Sequence, residues 1–175
     1  MGTIKKHLPV KLVIGLIFKD NKIYVKVKSL LERKFGPIDF ESQTLDFIHT
    51  DYYEKEFGKG LKRAFVSFKK LISPHQLPTI KTNTNHFEAR FSQNKLRRIN
   101  IDPGYLELSK FVLATTKDYR HRMYLGGGIY AEITLFYRRG SFCPWEWTYP
   151  DYRTDAYIKI FNTLRQTYVE QIKKK

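Results

Sequence analysis

The chain contains little cysteine and no long apolar segment, and both absences narrow its class. Cys143 is the only cysteine among 175 residues, so an intramolecular disulfide is excluded and a reducing compartment is favoured. The longest apolar run, Leu12 to Phe18, has the length of a strand and falls far short of a membrane span. The first residues carry no apolar core of a signal peptide. We therefore expect a cytoplasmic protein that does not enter a membrane.

Motifs that would name a reaction are also missing. The chain has no G-x-x-x-x-G-K-[ST] phosphate loop, no H-E-x-x-H pair, no EF-hand loop and no G-x-S-x-G elbow. Gly126-Gly127-Gly128 comes nearest to a glycine-rich loop, but no Lys or Ser/Thr follows it. We interpret it as a hairpin turn, because phosphate-binding loops usually lead into a helix N-terminus.

Acidic residues are scarce relative to basic ones. The chain contains 32 Lys and Arg residues and 17 Asp and Glu residues, which gives a net charge of +15. The excess lies mainly in residues 59–125, whereas residues 32–58 are acidic on balance. A basic surface favours anionic partners, which include RNA, nucleotides and phosphorylated metabolites. The alternative is a solvated surface that only keeps the protein soluble.

Periodicity and turn signals predict an α+β fold. The predicted elements are a strand over Val10–Phe18, a helix from Asp20 to Gly36, strands over Ile38–Ile48 and Leu61–Phe68, a helix starting at Ser73-Pro74, a strand within Arg98–Thr116 after a Pro-Gly turn, a hairpin over Arg122–Tyr137 and a closing helix after Arg153. The first six elements follow the order of the ferredoxin-like, split βαβ arrangement.

We predict a single domain over residues 1–175, with flexible ends at 1–9 and 170–175. Its architecture is expected to be a ferredoxin-like sandwich. The sheet is mixed or antiparallel and extended by the C-terminal hairpin, the helices lie mainly on one face, and the last helix closes the structure. A hydrophobic content of 42% is sufficient for a normal core.

Ionisable residues interrupt apolar, strand-like segments between Asn100 and Arg153. A protein that only had to fold would place few charges there, because a buried charge is costly unless it is paired. The pattern predicts a site in which His121, Glu132 and Asp102 are the catalytic candidates.

Each of the two carboxylates also has a structural alternative. Asp102 precedes Pro103-Gly104, which suits the centre of a type II turn that the carboxylate would cap. Glu132 lies in a predicted strand, and alternation places Leu135 on the opposite face. A salt bridge to a neighbouring basic residue such as Arg122 would also account for Glu132.

Basic residues between the two predicted strands, together with one just before the last helix, form a candidate anion site. Lys117, Arg122 and Arg153 are ligand-binding candidates, because Lys binds phosphate as a point charge and Arg as a bidentate fork. His121 is the histidine best placed for proton transfer, and His49, at a strand end, is the second choice. The alternative is an ordinary solvated basic turn.

One stripe of the predicted second helix adds Lys81, Asn85 and Glu88 as ligand-binding candidates. We expect Glu88 or Asp51 at the rim of a cleft formed by Asp102, Lys117, His121 and Glu132. These ligand types suit a divalent metal, but their spacing is not diagnostic, so the cofactor stays open.

Several segments of the chain together resemble a prokaryotic family known only as a domain of unknown function, number four-four-one-six. The segments are Asn100–Tyr105, Leu113–Lys117, His121–Leu125, Gly128–Leu135 and Trp147–Tyr152, joined upstream by Asp51-Tyr52-Tyr53, Glu56-Phe57-Gly58, Lys81–Asn85 and Glu88. The resemblance extends from about Val10 to Val169 and implies no established activity. Some members carry a GTP-binding label, which the missing phosphate loop does not support.

The leading functional hypothesis is a cytoplasmic protein that binds a phosphorylated small molecule or nucleotide, with a hydrolase or transferase as its enzymatic form. The co-occurrence of carboxylates and cations on neighbouring predicted elements motivates it. The alternative is a non-catalytic RNA-binding module that uses a basic sheet face, although no RNP signature is present. A structural partner-binding protein is a third option, and the oligomeric state stays open.

Overall fold

An antiparallel sheet organises the fold of this computed structural model, which describes residues 2–48 and 53–173. Its strands are β1 (Lys11–Phe18), β2 (Ile38–Glu41), β3 (Leu45–Asp46), β4 (Lys62–Phe68), β5 (Ile99–Leu106), β6 (Lys110–Thr115), β7 (Met123–Gly126), β8 (Ile129–Arg138) and β9 (Ser141–Pro144). They follow the order β2-β4-β1-β5-β6-β8-β7, with β3 beside β4 and β9 beside β8. The predicted α+β class is confirmed.

The helices lie on both faces of this sheet. They are α1 (Asn21–Phe35), the single turn α2 (Glu54–Phe57), α3 (Leu77–Arg90) and α4 (Asp155–Lys173), with 3₁₀ turns at Pro74–Gln76 and Asp151–Arg153. Alternate residues of β1 point to opposite faces, so Ile14 packs with α1 and α3 whereas Val13 packs with α4. The expectation that the helices lie mainly on one face holds for α1 and α3, whereas α4 packs on the opposite face.

The ends of α1 were readable from sequence. Asp20 accepts a hydrogen bond from the backbone N–H of Lys22 at 2.8 Å, as expected of an N-cap. Gly36 ends the helix at a φ of 100°, a conformation that a side chain would disfavour. At the other end of the chain, α4 continues through Gln171, which falls in the predicted flexible end and donates to the Lys69 carbonyl at 3.2 Å.

Two predicted elements differ from the structure. The expected strand Ile38–Ile48 is divided into β2 and β3, which both pair with β4. The expected Pro103-Gly104 turn is absent, because both residues lie inside β5 opposite Ile14 and Val13. The local turn signal is overridden by pairing with β1, which is buried along its whole length. The hairpin of β7 and β8 forms around Gly127 as predicted.

A bulge in β8 changes the predicted alternation of its side chains. Phe111 and Leu113 of β6 share a face, and they pair with Leu135 and Glu132 respectively. The register shifts between Phe111 and Val112, so β8 carries one extra residue there. Glu132 and Leu135 therefore lie on the same face of the sheet, on the side of α4, and not on opposite faces as alternation predicts.

Candidate functional site

The sheet opens between β5 and β6 beside the candidate Asp102. The two strands pair only from Gly104, opposite Leu113, to Leu106. The backbone groups of Ile101 face away from β1, toward the opening, and Pro103 faces the same way because the direction alternates along a strand. Pro103 has no N–H to donate to β6. The pairing therefore ends there, and the start of β5 is left with an open edge.

Two buried side chains of α3 form hydrogen bonds with the backbone at this open edge. Lys81 Nζ donates to the Ile101 carbonyl at 3.0 Å, and Glu88 Oε1 accepts from the Ile101 N–H at 2.6 Å. Burial raises the pKa of Glu88, and the nearby charge of Lys81 opposes this. Both ligand-binding candidates are thus engaged in supporting the strand. The third, Asn85, is half-buried on the same helix.

Asp102 is held in place at the opening by two hydrogen-bond donors and a nearby ammonium group. Its Oδ2 accepts from Asn100 Nδ2 at 2.7 Å and from an Arg63 guanidinium nitrogen at 3.3 Å. Lys81 Nζ lies 3.9 Å from Oδ1. A quarter of the Asp102 side chain is nevertheless exposed (25%). The carboxylate is therefore rigid, compensated in charge and accessible to a ligand.

Arg63 is the buried cation beneath Asp102, and sequence reasoning missed it. Its second terminal nitrogen donates to the Tyr152 hydroxyl at 2.6 Å. Burial acts to lower the pKa of Arg63, but the oxygens of Tyr152 and Asp102 outweigh burial and raise it, so the guanidinium keeps its charge. Burial raises the pKa of the neighbouring Asp151 carboxyl. The available signal was Arg63 among the mainly apolar residues of the predicted strand Leu61–Phe68, which also contains Lys62 and Ser67.

Glycine at position 15 makes room for this arginine. A Cβ on Gly15 would lie 2.7 Å from an Arg63 guanidinium nitrogen and 3.1 Å from the Phe65 ring. Phe65 also packs under the guanidinium, whose carbon lies 4.9 Å from the ring centre. Gly15 in an apolar strand is thus a second sequence signal of this site.

Glu132 anchors a second cluster on the same face. Its side chain is almost fully buried, and its Oε2 lies 3.1 Å from His121 Nε2 and accepts from Arg122 Nε at 3.0 Å. Arg122 also donates to the Lys117 carbonyl at 2.9 Å and to the Tyr149 hydroxyl at 2.6 Å. The structure therefore brings these candidates together, with the side chain of Lys117 exposed at the surface.

An aromatic stack supports His121. The imidazole stacks on Trp147 at 5.3 Å between ring centres and 14° between planes, and Trp147 stacks on Trp145 at 5.1 Å. Trp147 Nε1 donates to the Ile133 carbonyl at 3.0 Å, which ties the stack to β8. His121 Nδ1 is buried, and within the described part of the chain it has no hydrogen-bond partner.

The two clusters lie on one face of the sheet. Asp102 and Gly104 share a face in β5, Gly104 pairs with Leu113, and Leu113 pairs with Glu132.

Tyr149 lies near both clusters. Burial and the charge of Glu132 raise the pKa of Tyr149 to about 12, with smaller contributions from Asp102 and Asp151 and an opposing one from Arg122. We call Arg63, Asp102, His121, Arg122, Glu132 and Tyr149 the β5–β8 site.

Two further arginines border this site. Arg97, which sequence reasoning did not select, pairs with Glu56 at 2.7 Å and with Glu88 at 3.2 Å, and so joins α2 to α3. Arg153 instead donates to backbone carbonyls, including that of Thr148 at 2.8 Å. The guanidinium of Arg153 is thus committed to holding the loop before α4. His49 and Asp51, the other candidates, lie outside the described residues.

The described residues offer no ready metal centre. No group of three or more His, Cys, Asp or Glu side chains in 2–48 and 53–173 could hold an ion, so Asp102, His121, Glu132 and Glu88 do not converge as a ligand set. The helices of the same ranges include none with the length and apolar character to cross a bilayer.

Comparison with known proteins supplies a family but no activity. No curated protein and no solved structure matches the chain. The family model described as a domain of unknown function (DUF4416) matches residues 8–168, which include the whole β5–β8 site. The chain therefore belongs to the DUF4416 family.

Proposed function

We propose that the β5–β8 site binds a phosphorylated small molecule or nucleotide, and that a hydrolase or transferase reaction is its enzymatic form. The observation that carries the proposal is the partly exposed Asp102 carboxylate, fixed by the buried Arg63 and by Asn100. Holding an accessible charge in one geometry is typical of a binding or catalytic group, because such groups need preorganised partners.

Basic side chains around the site support an anionic ligand. The side chain of Arg97, which precedes β5 and donates to Asn100, is 30% exposed. Lys117 and Arg120 are exposed in the loop that leads to His121. Together with the net charge of +15, these cations would attract an anion to a site whose inner charges are already paired.

In the enzymatic form, Asp102 is the candidate proton acceptor because it is the accessible carboxylate of the site. His121 is the candidate proton carrier, since Glu132 fixes its Nε2 and leaves Nδ1 without a protein partner among the residues described. Glu132 itself is buried, so we assign it a positioning role through His121 and Arg122.

We further propose that the first half of the fold is a ferredoxin-like unit. The strand order β2-β4-β1-β5, with α1 after β1 and α3 before β5, supports this assignment. A cytoplasmic location is proposed from the single cysteine Cys143.

The RNA hypothesis lacks the sheet surface that it would use. Phe65 and Val13 face α4, and Ile14 and Leu16 face α1 and α3, so bases would not reach the central strands as they do in RNA-recognition domains. A titration of labelled single-stranded RNA at 50 and 200 mM salt tests it. RNA binding at 50 mM salt that weakens steeply at 200 mM, as the release of counterions from phosphate contacts requires, would support this hypothesis, and no binding at 50 mM salt would exclude it.

A ligand screen tests the proposed function. Nucleotides, sugar phosphates and divalent metals would be added to the protein, and unfolding followed by differential scanning fluorimetry. A ligand at 100 times its dissociation constant should stabilise the fold by about 2.7 kcal/mol. Lys117→Gln should weaken this response, because an exposed cation beside Arg122 is removed.

Lys26→Gln is the matched control. It removes the same charge from an exposed position of α1, on the other side of the sheet. An equal response of both variants would show that the anion binds elsewhere. A screen without any stabilising phosphate compound would refute the proposed function.

A further inference from the structure

Tyr149 stands where it can donate a hydrogen bond to a ligand of the β5–β8 site. Its oxygen already accepts from an Arg122 guanidinium nitrogen at 2.6 Å. The hydroxyl proton must therefore point away from Arg122. The residue is 41% exposed, and the ring lies 6.5 Å from that of Tyr152, centre to centre.

The phenol keeps this proton throughout the neutral range. Burial and the charges of Glu132 and Asp102 raise the pKa of Tyr149 to about 12, against the opposing charge of Arg122. Tyr149 is therefore a hydrogen-bond donor of fixed protonation. It is suited to an anionic oxygen, since hydrogen bonds to charged groups are stronger than neutral ones.

Asp102 has the opposite character. As a carboxylate it can only accept hydrogen bonds, and Asn100 and Arg63 hold it with part of its surface open. A bare phosphate against Asp102 would meet a like charge. A ligand hydroxyl would instead donate to it, so Asp102 and Tyr149 favour different groups of the same ligand.

We propose that Tyr149 and Asp102 form a donor–acceptor pair that selects phosphate monoesters carrying a neighbouring hydroxyl. Tyr149 binds a phosphate oxygen, and Asp102 accepts from the hydroxyl. This inference rests on the proposed function and narrows its ligand class to phosphorylated polyols, sugars and nucleosides.

Two matched esters test the selection. Glycerol 3-phosphate carries hydroxyls beside its phosphate, and propyl phosphate has the same carbon chain without them. Isothermal titration calorimetry with the 175-residue chain should show about 10-fold tighter binding of glycerol 3-phosphate, which is the size expected for one hydrogen bond to a charged group.

Variants separate the two roles. Tyr149→Phe keeps the ring and should weaken both esters about 10-fold, with the preference between them unchanged. Asp102→Asn should abolish the preference. Tyr124→Phe is the control, since Tyr124 is exposed in the β7–β8 hairpin and accepts only from the Gly128 N–H among the contacts described. Its affinities should equal those of the wild type.

The outcomes distinguish this inference from the proposed function. Equal affinity for both esters, or unchanged affinities in Tyr149→Phe, would overturn the inference and leave phosphate binding standing. If nucleotides bind and neither ester does, a nucleoside 5′-monophosphate and its 2′,3′-dideoxy analogue replace the two esters, and equal affinity for these would likewise overturn the inference. Absence of every phosphate ligand from the wild type would overturn both. Asp102→Asn removes the charge partner of Arg63 and could fail to fold for that reason. In that case the affinities of the two esters for the wild type and for Tyr149→Phe still test the inference.

Discussion

Glu88 accepts a hydrogen bond from the backbone N–H of Ile101 at 2.6 Å, in the place where a neighbouring strand would accept it. Lys81, two turns earlier on α3, donates to the carbonyl of the same residue at 3.0 Å. A helix thus closes the edge of β5 through two side chains. The sheet can open there without leaving the N–H and C=O of Ile101 unpaired, and Asp102 lies partly exposed at the opening.

Replacement of Glu88 should reveal this pairing. Glu88→Ala leaves the buried N–H of Ile101 without an acceptor and should reduce the free energy of unfolding by about 1–3 kcal/mol. Glu88→Gln keeps an acceptor oxygen and should cost less. Urea denaturation followed by circular dichroism measures both, and equal losses would contradict the role assigned to Glu88.

The stability contributed by Glu88 should also depend on pH. Burial raises the pKa of Glu88 above its ordinary value of 4.5, although Lys81 and the Ile101 N–H oppose the shift. The folded state then binds the proton more tightly than the unfolded chain. The stabilisation that comes from this tighter proton binding is fully present below pH 4.5 and is lost as the pH rises through the pKa of Glu88 in the folded state. Glu88→Gln does not titrate, so its stability relative to the wild type should increase from pH 4 to pH 7. A constant difference would refute the shift.

Local signals predicted most of the elements of this fold. The Asp20 cap, Gly36 and the glycine hairpin act within a few residues, and each is where the sequence places it. Pro103-Gly104 led to the wrong prediction of a turn, because a turn signal depends only on neighbouring residues. These residues form a strand instead because β5 pairs with β1, which is distant in sequence. The proline is tolerated because its ring faces the open edge, where no N–H is required.

The sequence predicted the site only in part, again because local signals do not reveal contacts between distant residues. Asp102 and Glu132 were recognisable as charges within apolar segments. Their partners are distant in sequence: Arg63 reaches Asp102 across 39 residues, and Tyr149 reaches Arg122 across 27. No spacing rule connects such residues, because the sheet register brings them together. The available clues were Gly15 within one apolar segment and Arg63 within another, because a Cβ on Gly15 would meet the Arg63 guanidinium.

Gly15→Ala should test how tightly Arg63 is held. The new Cβ would lie 2.7 Å from the Arg63 guanidinium nitrogen that donates to Tyr152, while the other terminal nitrogen donates to Asp102. We expect a loss of about 1–3 kcal/mol, as for other overpacked cores. Gly2→Ala, which has no neighbours within 4 Å, is the control. Chemical denaturation that gives equal stabilities would show that Arg63 moves freely.

Alkaline conditions should destabilise the protein strongly. Burial raises the pKa of several tyrosines above the ordinary value of 10, including Tyr24, Tyr53, Tyr149 and Tyr152. Each prefers to remain protonated in the folded state, so its contribution is intact below pH 10 and is lost as the pH rises through its folded pKa. Melting temperatures from pH 8 to 11 should therefore fall increasingly steeply above pH 10. Tyr149→Phe, which removes one of these groups, should reduce the fall, and an unchanged slope would contradict the raised pKa of Tyr149.

The pairing of Arg122 with Glu132 should be among the most sensitive to substitution. Arg122→Ala leaves the carboxylate of Glu132 buried with His121 and Thr134 as its remaining side-chain contacts among those described, so we expect a loss of about 3–5 kcal/mol. Arg122→Ala combined with Glu132→Gln removes the uncompensated charge and should recover part of it. Arg120→Ala, an exposed neighbour over the Tyr119 ring, should change stability by less than about 0.5 kcal/mol. Thermal and urea unfolding of these variants measure the losses. A double variant no more stable than Arg122→Ala would contradict the role of the buried charge. It would show that Arg122 stabilises the fold through Tyr149 and the Lys117 carbonyl instead.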